Sequence, residues 1–167
     1  QAVRDCLLSI AGTLDNRMGG PSVPAGEQAA SRRRSLYFFH SNVDRNRFLT
    51  TFDEADVKEC YRRDQSIVPQ QALALANAAL VHDCAARIAE RLSAGVGTST
   101  DPDFIAAAFL AILGRRPTAD ETVACVESLA VWRSQRPAEP SSPLAPDASQ
   151  THLVWALLNH TDFLTIR

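Results

Sequence analysis

A chain of 167 residues is long enough for one domain with a real core, or for two very small ones. Its 46% hydrophobic and 22% charged residues are those of an ordinary globular protein. A net charge of −2 and a pI near 6.1 argue against a general nucleic-acid or anionic-membrane binder.

The first element is a helix, because Val3, Leu7, Ile10, Ala11 and Leu14 recur at helical spacing. MGGPSVPAGEQ then breaks regular structure through Gly19-Gly20-Pro21, Pro24 and Gly26. RRSLYFFHS, Arg33 to Ser41, is aromatic-rich and reads as a strand, with RFLTTFD and VKECYRR as short partners. Residues 14–68 thus form an irregular polar insert with room for a small antiparallel β element. Pro69 opens a long helix to about Leu92, with Leu73, Ala76, Leu80, Cys84 and Ile88 along its apolar stripe and Gly95 and Gly97 beyond its end. Asp101 is the expected cap of the next helix, with Pro102 in its first turn, Phe104, Ala108 and Ile112 on its buried face, and Gly114 as a left-handed stop. Thr118-Ala-Asp-Glu121 is a capping box for a helix running towards Trp132. Residues 134–150 are Pro/Ser/Ala-rich, the composition of a mobile loop. A final helix carries Leu153, Val154, Ala156, Leu157 and Leu158. The fold class is mainly α: four to six helices in a single helical domain over residues 1–167, interrupted by the polar insert.

No apolar run approaches the roughly 20 residues of a membrane-spanning helix; the longest is Phe104 to Leu113. No secretion signal is visible, and the chain opens on Gln1 within a helical pattern, so a fragment of a larger protein is expected. Cys6, Cys60, Cys84 and Cys125 are scattered without a C-x-x-C pair, which leaves buried free thiols or a long-range disulfide. His40, His82, His152 and His160 are equally scattered, so neither a metal nor another cofactor is expected in this chain.

Lys58 is the only lysine, so nearly all positive charge is guanidinium, whose planar fork suits carboxylates. Arg34, Asp53, Arg62, Arg63 and Gln71 are the candidate ligand-binding residues, able to grip an anion such as a carboxylate on a sugar or peptide. The favoured reading makes the same residues an internal clamp, in which Arg62 or Arg63 pairs with Asp53 and caps exposed carbonyls. For catalysis the best trio is His40 beside Ser41 with Asp44 or Asp53, but its spacing matches no hydrolase motif. Cys60 beside Arg62 and Arg63 is the one thiol with a sequence reason for activation. Tyr37, Phe39, Trp132 and Trp155 are candidate stacking platforms for a polysaccharide, and Trp155 also fits a core position. Arg32 to Arg34 alone are weak grounds for a phosphate contact. No catalytic residue is assigned.

GGPSVP, RRSLYFF, FLTTFDEADVKECYRR, SIVPQQALALAN, LGRRPTADE and LLNHTDFL follow one another in this order. Together they resemble the planctomycete-specific domain of unknown function (PSD-type) found C-terminal to a planctomycete cytochrome C domain, and the chain looks like the C-terminal portion of that domain. The resemblance implies an exported, periplasmic or cell-surface parent protein with a c-type haem domain upstream. C-x-x-C-H is missing here, so the haem would belong to the absent part. The pair AFLAILGRRPTADE and LLNHTDFL also looks like a helical module of other bacterial proteins, including phycobilisome-linker-like domains. In that arrangement Phe163 folds back towards Phe109 and Leu113, and Asp162 forms a structural ion pair with Arg115 or Arg116.

The resulting expectation is a non-catalytic structural or interaction module whose partners are upstream domains of the same parent protein or another protein, with polysaccharide as a further possibility. The alternative is part of a hydrolytic or redox-linked enzyme completed by upstream residues.

Overall fold

A computed structural model of the chain describes residues 1–41, 45–52, 68–95, 100–135 and 147–164. It is mainly α, with no sheet among the described residues. Two compact units are present, Gln1–Ala78 and Ala79–Arg167.

The first unit contains α1 (Ala2–Ile10), α2 (Arg47–Thr51) and α3 (Val68–Asn77), with 3-10 turns at Ala25–Glu27 and Ser35–Tyr37. α1 stops short of Leu14 because Gly12 takes a left-handed φ of 70°, and Thr13 N–H then returns to the Leu8 carbonyl at 2.9 Å. Leu7, Leu8 and Ala11 make its buried face, and Arg4 is buried with them.

The strand expected over Arg33 to Ser41 is not formed. Asp5 on α1 accepts from both the Ser35 amide and the Ser35 hydroxyl, at 2.9 and 2.7 Å, and the chain turns through Ser35–Tyr37 instead of extending. Among the described residues the β structure is two isolated parallel bridges, Asp15 with Arg33 and Val23 with Phe38. The turn also breaks the strict alternation: Phe38 packs with Val23 and Leu49, while Leu36 and Phe39 are exposed. RFLTTFD is likewise helical over Arg47–Thr51, because Asn46 caps it by accepting from Leu49 N–H at 3.2 Å. VKECYRR lies outside the described residues.

The helical run from Pro69 is not continuous. α3 ends at Asn77, whose amide donates to the Leu73 carbonyl of its own last turns at 2.9 Å, and α4 (Ala79–Gly95) begins after Ala78. The break also reassigns the stripe: Leu73 is exposed, whereas Leu75 is buried in α3 and Val81, Cys84 and Ile88 in α4.

The second unit comprises α4, α5 (Asp101–Leu113), α6 (Ala119–Ser134), α7 (Ala148–Leu158) and the single turn α8 (Thr161–Leu164). α4 packs along α7, and α5 contacts α4, α6, α7 and α8. Phe104, Ile105, Ile88, Leu129, Val154 and Leu158 are fully buried at the centre. Each such side chain contributes about 1.5–3 kcal/mol relative to exposure. The cap of α5 is Thr100, one residue before the expected Asp101, because Asp101 is already helical. Gly114 ends α5 at φ 67°, and Thr118 and Glu121 form the capping box of α6.

Candidate functional site

Four arginine-centred networks organise the described polar residues, around Arg4, Arg33, Arg115 and Arg133. In the first unit Arg4 occupies the buried stripe of α1, where a bare guanidinium would be costly. It donates to the Ser31 carbonyl at 2.5 Å, to the Arg33 carbonyl at 2.9 Å and to Ser35 Oγ at 3.2 Å. Its planar head also lies 4.5 Å from the centre of the Phe38 ring. Ser35 Oγ passes the chain of bonds on to Asp5. A single side chain thus satisfies carbonyls that no sheet is present to pair, and it fixes the irregular segment to α1. Arg33 does the same for the glycine-rich loop: it donates to the Pro21 and Gly19 carbonyls and stacks on Tyr37, whose hydroxyl accepts from Gly19 N–H at 3.1 Å.

In the second unit Arg115 forks onto Glu121, at 2.7 and 2.8 Å, and donates through Nε to Asp162 at 3.1 Å. The Arg115–Asp162 pair expected from the spacing is therefore present, with Arg115 also lying over the Phe109 ring. The Arg115 side chain, helped by the Thr118 backbone N–H, pulls the Glu121 carboxyl down to about 2. Arg133 at the end of α6 is two-pronged on Asp101, at 2.6 and 2.8 Å, and bonds Asp147 through Nε at 2.7 Å. Asp147 caps α7 by accepting from Ser149 N–H.

Beside this last network lies a cleft of about 420 Å³, lined by Trp132, Arg133, Gln135, Asp147, Ser149 and His152 among others. Trp132 and His152 meet edge to face, with ring centres 5.9 Å apart.

Of the sequence-derived candidates, Arg34 is exposed at the edge of the first network, 3.5 Å from Asp5, and Gln71 is half-buried near the start of α3. Asp53, Arg62 and Arg63 lie outside the described residues, as do Asp44 and Cys60, the residues that would complete the trio and supply the thiol. Cys6 is exposed rather than buried, Cys84 is buried and Cys125 half-buried, and none of the three is in a disulfide. Burial, and secondarily Glu121, pushes the Cys125 thiol up, the opposite of an activated thiolate. Among the described residues no cluster of three or more His, Cys, Asp or Glu could hold a metal. Tyr37 is covered by Arg33, and half-buried Trp155 stacks on His82 with its Nε1–H buried and unpartnered. Arg4 escaped sequence reasoning, although its position in the buried set 4, 7, 8, 11 was a signal.

The family model described as PSD1, protein of unknown function (DUF1553), matches residues 1–129. The chain belongs to the PSD1 family. No curated protein and no solved structure matches it. The PSD1 match takes in the Arg4 and Arg33 networks and the Arg115–Glu121 pair, and it ends within α6, before Trp132, Arg133 and α7.

Proposed function

We propose that this PSD1 chain is a non-catalytic structural or protein-interaction module of a larger exported protein, packing against other domains of that protein or against a partner subunit. The outward face of α6 carries the reading. Val123 and Val131 are 58% and 49% exposed, and Ala124 and Ala130 lie exposed beside them, with Glu127 the charged residue among them. A surface helix ordinarily turns polar residues outward. α6 instead buries Leu129 on one side and presents valine and alanine on the other, as a helix covered on both sides does. The arginine networks support the same reading, since their guanidiniums hold the chain's own carbonyls and carboxylates.

The test is pull-down of the remaining parent polypeptide, supplied in trans, by the wild-type chain and by a Val123→Glu/Val131→Glu variant. The expected result is loss of association with little change in melting, because exposed substitutions usually stay within about 0.5 kcal/mol. Equal capture by both proteins would remove α6 as the contact.

A further inference from the structure

We infer that the cleft between the end of α6 and the start of α7 is a binding site for a neutral, hydroxyl-rich ring, a saccharide unit, with Trp132 and His152 as its wall and Gln135 and Asp147 as its hydrogen-bonding rim. The site lies beyond the residues matched by the PSD1 model and stands independently of the packing role of α6. Four observations converge on that ligand chemistry.

The first is size: about 420 Å³ falls within the range of small-ligand clefts, roughly 300–1,000 Å³. The second is the wall. The edge-to-face contact of Trp132 with His152 fixes both rings, so an aromatic surface is present without further ordering cost. Such a surface suits the C–H face of a sugar ring. The third is the rim. Gln135 supplies a planar amide that both donates and accepts, and Asp147 supplies carboxylate acceptors, which is what adjacent ring hydroxyls require.

The fourth is charge, which separates a neutral sugar from an anion. Arg133 is the cleft's arginine, and its guanidinium is already bound to Asp101 and Asp147. Both carboxyl groups are held below their ordinary range: for Asp101 the Arg133 bond is the leading cause, and for Asp147 burial pushes upward but is outweighed by Arg133 and Ser149. Two ionised carboxylates therefore accompany one guanidinium, and an incoming anion would meet net repulsion. Ser149, which also lines the cleft, is 3% exposed, and its backbone N–H donates to Asp147.

The experiment uses the whole chain carrying Trp155→Phe, which leaves Trp132 as the one tryptophan reporter. Cellotriose, mannotriose and xylotriose are the neutral probes, trigalacturonate is the anionic one, and calorimetry on the unmodified chain repeats each titration. The expected result is a saturable change in Trp132 emission with a neutral trisaccharide, weakened about three- to tenfold by His152→Ala and by Gln135→Ala. Gln135 is exposed at the end of α6, so its variant tests the rim without threatening the fold. Absence of saturation by every neutral probe at tens of millimolar, tighter binding of trigalacturonate, or neutral binding indifferent to both variants would each overturn the assignment.

Discussion

Arg4 and Arg34 stand on opposite sides of one carboxylate and have opposite expected importance. Arg4 is 3% exposed and spends its donors on two carbonyls and a hydroxyl, whereas the Arg34 side chain is 51% exposed with a single long contact to Asp5. Replacing Arg4 by Met leaves the Ser31 and Arg33 carbonyls without their donor, a loss on the order of 3–5 kcal/mol by analogy with broken buried ion pairs. At roughly 2–4 °C per kcal/mol, thermal unfolding should register a fall well beyond measurement error for Arg4→Met. Arg34→Ala should stay within about 0.5 kcal/mol. Equal melting of the two variants would show that the Arg4 network does not hold the irregular segment. Glu121 gives a pH test at the same scale. Its carboxyl is lowered from 4.5 to about 2 by Arg115 first and by Thr118 second. A depressed folded-state value means that its stabilisation is complete above pH 4.5 and is lost as pH falls towards 2. Melting followed across that window should fall more steeply for wild type than for Glu121→Gln; parallel curves would show that the Arg115 pair adds nothing to the fold.

At the scale of elements, the junction from α5 to α6 was legible because each of its instructions is local. Gly114 supplies the left-handed stop, and Thr118 and Glu121 close the capping box. Thr118→Ala should destabilise by about 0.5–2 kcal/mol, measured by urea unfolding, and rescue by Thr118→Ser would assign the loss to the cap. Other elements depended on distant residues and were misread. Arg33 to Ser41 has the composition of a strand, yet the bonds that bend it come from Asp5, thirty positions away from Ser35. Nothing near Asn77 announces that an apolar helical stripe stops there and restarts at Ala79. The cleft was half visible: Trp132 stood out as an aromatic, but Gln135, Asp147 and His152 join it only through the packing of α6 and α7.

Over the whole molecule, helical periodicity was enough to establish a mainly α protein, and the ordered set of motifs was enough to place it in the PSD1 family. The position of its arginines was not readable, because a charged residue on a buried stripe looks like an interruption until its carbonyl partners are known. The structure supports a coherent division of labour: guanidiniums lock irregular chain and helix ends, while α6 offers an apolar outer face. Among the described residues no single helix is long and apolar enough to cross a membrane. Hydroxyl-radical footprinting of Val123 and Val131, in this chain alone and in the longer parent protein proposed above, tests the packing role most directly, with buried Val81 as internal reference. Strong oxidation in the isolated chain and several-fold protection in the longer protein is the predicted result. Equal oxidation of both valines in the two forms would contradict it.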